Sequence, residues 1–202
     1  MSDVPESPSD FFKSYIPARV AAFQNRLAGK TSAGAMTFRV LDAGEWSLRI
    51  KDGVLEIEEG MSDDVLLQLS VRGADFGPIF VEAARSHAST PSPEHELFAF
   101  KALSTPPERA KLVRAILGTM AFVIQDGDTS RTLAVTPGSQ APKVDAPDCR
   151  LECTMLDFQD MQSGKTQPIQ LVMGGKMKVI IGNPDDIKLD IDYGKLKSVL
   201  KD

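Results

Sequence analysis

Few residues in this 202-residue chain have the type and spacing to do chemistry. Its two histidines, His87 and His95, lie in or beside a stretch rich in Ser, Thr and Pro, where a solvated imidazole is a better reading than a general base. Its two cysteines, Cys149 and Cys153, fall in CRLECTM, which alternates as a strand does. That spacing separates them by about 13 Å, beyond disulfide reach. It matches no zinc motif either, so both read as small apolar residues on one strand face. Gly174-Gly175-Lys176 resembles part of a phosphate loop, but the upstream glycine is missing and a strand follows instead of a helix. The acidic pairs Glu58-Glu59, Asp63-Asp64 and Asp185-Asp186 sit at turns, where solvated carboxylates are ordinary. Lys176, Lys178 and Lys188 have the charge to rim a site for an anionic lipid head group or an acyl-CoA phosphate; the wet face of an edge strand accounts for them as well. No nucleophile elbow and no metalloprotease helix motif is present. These residues point away from an enzyme, and no cofactor or metal site is expected.

Composition narrows the classes further. The chain carries 28 acidic and 23 basic side chains, a net charge of -5, which argues against nucleic acid as a partner. Hydrophobic residues are 42% and aromatics only 6%, so aliphatic side chains must fill most of the core. The opening MSDVPESPSD lacks a basic segment followed by an apolar run, and no stretch is long and apolar enough to span a bilayer. The ending VLKD is not a peroxisomal signal, so a cytoplasmic location is expected.

The elements follow from periodicity. Residues 1–10 read as a disordered tail. Phe11, Phe12, Tyr15, Ile16, Val20, Phe23 and Leu27 recur at helical spacing, with Pro17 forcing a kink or a start. MTFRVLD, EWSLRI, VLEIEE and VLLQLSV alternate as strands, and Asp52-Gly53 is a hairpin turn. Asp75 to Arg85 reads as a helix starting near Pro78, and residues 86–93 as a linker. Ser104-Thr105-Pro106-Pro107-Glu108 signals a helix running through Ile116 and Leu117 to Gly118. Strands at 120–124, 131–135, 149–153 and 177–181, with a short helix from Asp157, make a second set. The tail from Asp185 alternates like another strand.

The two strand sets match each other. MTFRVLDAG from Met36 aligns with MAFVIQDGD from Met120, and LQLSVRGADF from Leu67 with CRLECTMLDF from Cys149. The offsets are 84 and 82 residues, in the same order, which argues for a duplicated unit.

The segment LECTMLDFQDMQSGKTQPIQLVMGGKMKVIIGN, residues 151–183, resembles the sterol carrier protein type-2 family. The resemblance is carried by Asp157-Phe158 opening a helix, Gly164 ending it, a short apolar stretch from Ile169 to Met173, the Gly175-Lys176-Met177-Lys178-Val179 strand and Gly182-Asn183. It covers roughly the C-terminal half. It departs from the family at Met155-Leu156, where Ser-Asp is usual, at the Pro-rich loop after Thr136, which replaces a third strand, and at the alternating tail.

What the resemblance implies is an α+β fold: an antiparallel sheet covered by helices on one face, with a degenerate N-terminal second copy. The expected division is a first unit at 11–90 and a lipid-binding unit at 91–202. The expected function is non-catalytic binding or transfer of a lipid, sterol, fatty acid or acyl-CoA-like ligand in a tunnel, with transient contact to a membrane surface. The alternative is an interaction or regulatory module with a closed core. The expected ligand-binding residues are Phe122, Ile124, Leu133, Leu151, Phe158, Met161, Ile169, Met173, Met177 and Val179. Methionine suits such a wall, because a flexible thioether adapts to ligands of varied shape.

Overall fold

Alternating segments with one apolar face must pair with one another and be covered on that face. In the computed structural model, which describes residues 4–22, 24–89, 103 and 105–182, they do so in one sheet. The strands are β1 (Ala35–Val40), β2 (Gly44–Lys51), β3 (Val54–Glu59), β4 (Val65–Val71), β5 (Met120–Asp126), β6 (Thr129–Pro137), β7 (Cys149–Thr154) and β8 (Lys178–Ile181). Their order across the sheet is β3-β2-β1-β4-β6-β5-β7-β8. His95, residues 90–93 of the linker and the tail from Asp185 lie outside the described residues.

The sheet is mixed rather than purely antiparallel. β1 pairs with β4 in parallel, and so does β5 with β7, while the other neighbours are antiparallel. Alternation reports which face a side chain occupies, not which strand lies alongside, so the two parallel pairs leave no trace in it. The Asp52-Gly53 turn is as expected: φ is 50° at Asp52 and 80° at Gly53, the left-handed pair of a tight hairpin between β2 and β3.

Helices cover the apolar face. At the N-terminus come α1 (Pro8–Asp10), a π-turn over Phe11–Tyr15, α2 (Ile16–Ala21) and α3 (Gln24–Leu27). Of the expected disordered tail, the described residues from Val4 onward are ordered: Val4 is buried in the core and Ser7 caps α1. The π-turn answers the question posed by Pro17. Proline has no N–H, and its ring collides with the carbonyl four residues back; widening the turn over 11–15 clears that carbonyl and lets the helix continue. Phe12 then stacks on Trp46 at 5.0 Å and meets Phe38 at 4.9 Å. After β4, α4 (Gly73–Phe76) begins before Pro78, a second π-turn spans Gly77–Val81, and α5 (Glu82–Ser89) follows. Then come α6 (Pro107–Ala115), α7 (Met155–Gln162) and α8 (Pro168–Met173).

Phe76 and Phe158 are both buried, each in the first helix after a strand that runs parallel to its neighbour. Ile124, Leu133, Phe158 and Met177 are buried as expected, and Phe122 and Leu151 pack half-buried against them. Val179 and Ile181 correct the expectation: they are 44% and 54% exposed. Among the described residues β8 is the outermost strand and pairs with β7 alone, so an apolar face at that edge does not ensure a cover.

Candidate functional site

A cavity opens where the two strand sets meet. Its floor is built from adjoining rows of the sheet. Met36, Leu67 and Pro137 face one another across β1, β4 and β6. Val135, Met120 and Cys149 do so across β6, β5 and β7. Helix α6 closes the other side. Pro107 at its start is suited to a position where no N–H is needed, but Pro106, not Ser104 or Thr105, holds the cap position. The helix ends at Ala115, two residues short of the expected Leu117, because Ile116 turns extended at ψ 125°. That turn brings Ile116 and Leu117 onto the cavity wall beside Val113 and Leu103. The enclosed space is about 440 Å³, within the range of small-ligand pockets.

Helix α6 is fastened to the first strand set by Arg114. Its guanidinium donates to the Ala33 carbonyl at 2.8 Å and pairs with Asp64. Gly34 makes room for it: a Cβ there would stand 2.5 Å from the Arg114 nitrogen and 2.9 Å from the Asp64 carbonyl.

One end of the cavity is polar. Asp148 is buried, and its carboxylate accepts from the Thr119 N–H at 2.6 Å and from the Lys143 ammonium at 2.6 Å. Burial opposes ionisation there, but these two donors outweigh it and hold the carboxyl below its usual range. Gly118, with φ 98°, lets the loop pass close by, since a Cβ would lie 2.9 Å from the carboxylate.

None of the ten residues named from the sequence lines this cavity. Phe122, Ile124, Leu133, Leu151, Phe158, Met161 and Met177 belong to the packed core beneath α7, where the Phe122 and Phe158 rings lie 5.5 Å apart. Ile169 is 58% and Met173 83% exposed. The cavity lies two residues further along the same strand faces, at Met120, Val135 and Cys149. The alternation of β5, β6 and β7 marks those faces, but the β4–β6 pairing that completes the floor has no local signal. Of the expected basic rim, Lys176 pairs with Asp157 at 3.6 Å, Lys178 is exposed, and Lys188 lies outside the described residues. Both cysteines are free thiols, Cys153 buried and Cys149 half-buried. Among the described residues there is no cluster that would hold a metal ion, and no helix long and apolar enough to cross a membrane.

Residues 99–183 match the model of the SCP-2 sterol transfer family. That stretch, 85 of the 202 residues, is similar to this family. Among solved structures, sterol carrier protein 2 from Yarrowia lipolytica, in its apo form, is 24% identical, covering 37% of this chain and 70% of its own at a TM-score of 0.29. Sterol carrier protein domain 2 of Helicoverpa armigera is 18% identical, covering 61% and 86% at 0.31. Palmitated SCP2L2 from Aedes aegypti is 16% identical, covering 63% and 96% at 0.30. No curated protein sequence matches the chain.

Proposed function

We propose that this protein binds and carries a lipid or similar apolar ligand, without catalysing a reaction, in the cavity beneath α6. The observation that carries the reading is an aliphatic cavity of about 440 Å³ beside a segment matching a sterol transfer family. Space of that size, walled by Met36, Met120, Leu117 and their neighbours, gains from filling, because apolar surface leaves water on both partners. Binding then gives a negative heat-capacity change.

The test is a titration with fluorescent sterol and fatty-acid analogues. Leu117→Trp fills the cavity from its wall, whereas Met173→Trp fills the alternative site between the second sheet half and the segment 161–173. Loss of binding in Leu117→Trp alone supports the cavity. Loss in Met173→Trp alone moves the site to the segment read from the sequence. The filled core beneath α7 favours a second reading, an interaction module with no ligand. Absence of binding by wild type to any of several lipid classes would establish that reading instead.

We also propose that residues 11–90 and 91–202 are two copies of one unit. Support comes from the registers. Met36 faces Leu67 and Phe38 faces Leu69 in the parallel pair β1–β4; Met120 faces Cys149 and Phe122 faces Leu151 in β5–β7. The residues that the sequence alignment equates, Met36 with Met120 and Leu67 with Cys149, thus hold corresponding places in the two pairs. Each copy lacks a strand, and the other supplies it. β4 lies beside β6 where β3 lies beside β2, and β6 lies beside β4 where β8 lies beside β7.

A further inference from the structure

We propose that Asp148 sets the ligand class of this cavity: a neutral lipid bearing a hydroxyl or another hydrogen-bond donor is accepted, and a lipid with an anionic head is rejected. The inference rests on the reading that the cavity takes a lipid.

Three side chains interrupt the aliphatic wall, Thr105, Thr119 and Asp148. Only Asp148 carries charge. Its two oxygens are engaged by Thr119 and Lys143, one bond each, so lone pairs remain to accept from a ligand. The hydroxyl of Thr119 is not similarly available as a competing donor. It bonds the Thr136 hydroxyl at 2.9 Å and accepts from the Lys143 backbone N–H at 3.0 Å. Lys143, the compensating cation, has a half-exposed side chain and is not on the cavity wall, so the ligand meets the carboxylate rather than the ammonium. A second negative charge brought near a buried carboxylate is repelled more strongly than in water. A ligand that presents only an acceptor displaces water from the carboxylate and offers no donor in its place, whereas a hydroxyl restores the lost hydrogen bond.

The experiment compares dodecanol, methyl dodecanoate and dodecanoate, which share a chain and differ in the head, by displacement of Nile red from the full chain at neutral pH. Dodecanol should bind roughly tenfold or more tighter than dodecanoate, with the ester between them. In Asp148→Asn the alcohol-to-acid ratio should fall toward one, mainly through tighter binding of the acid. Lys143→Met, at a half-exposed position, keeps the carboxylate and removes its compensation, so the ratio should widen even if the Asn variant folds poorly. Equal wild-type affinity for all three heads, or a ratio that neither variant moves, overturns the proposal and leaves lipid binding standing. No binding of any of the three by wild type removes the lipid reading itself.

Discussion

Phe158 is 2% exposed and lies against Phe122, in a core made largely of aliphatic side chains. Truncating it to alanine should cost about 3–5 kcal/mol, read as a shift of the denaturant midpoint; a loss below about 1 kcal/mol would show that the ring is not enclosed. Cys153 makes a prediction about pH. Burial first, and the Asp157 charge second, raise its thiol from 9.0 to about 11. The folded state therefore holds its proton where the unfolded chain has lost it, and stability falls as pH rises from about 9 to about 11. Cys153→Ala should flatten that alkaline decline in pH-dependent melts, and an unchanged slope would mean another group is responsible. Cys153 was legible beforehand, because alternation places it on the apolar side of β7; Phe158 lies in the helix that follows and was marked instead by the Asp157-Phe158 motif. Val179 and Ile181 show the limit of that argument: a pattern gives the face, but only neighbouring elements decide whether the face is covered.

Among the elements, α6 has the most consequence for its length. Nine residues, held mainly by Arg114 on the first strand set, form the wall over the cavity. Replacing Arg114 with Met keeps the stem and removes the charged hydrogen bonds. The pair is partly exposed, so the global cost should be modest, about 1 kcal/mol. The local effect should be larger: faster amide exchange in 107–115 and quicker release of a bound fluorescent lipid. If exchange there matches wild type, Arg114 does not fasten the helix. The start of α6 could be read from its prolines. Its partner could not, since Arg114 and Asp64 are 50 residues apart and nothing in either segment names the other.

At the scale of the whole molecule, the resemblance over residues 151–183, the α+β class and the apolar strand faces were all readable from the chain. The parallel pairs and the join between β4 and β6 were not, because pairing between distant strands is decided by tertiary packing. The cavity sits on that join, which is why the residues named from sequence fall beside it rather than around it. The join also predicts how the protein unfolds. Gln68 in β4 donates to the carbonyls of Gly138 and Gln140, both at 2.8 Å, and buried Asp75 accepts from Thr132 N–H at 3.2 Å. Trp46, the single tryptophan, reports on the first strand set and Cys153 on the second. Tryptophan fluorescence and thiol labelling should give one coincident denaturant transition. Two separated midpoints would mean that the halves fold independently.

Strand β4 has β1 on one side and β6 on the other, and this bears on heredity as well as on folding. After a duplication, one copy is ordinarily free to drift while its twin keeps the old role. Under the duplication proposed above, a change at Leu69 is felt by Phe38 within its own set and by Val135 in the other, so neither copy could decay alone. On that reading, the first half is kept as the flank against which the second half is completed.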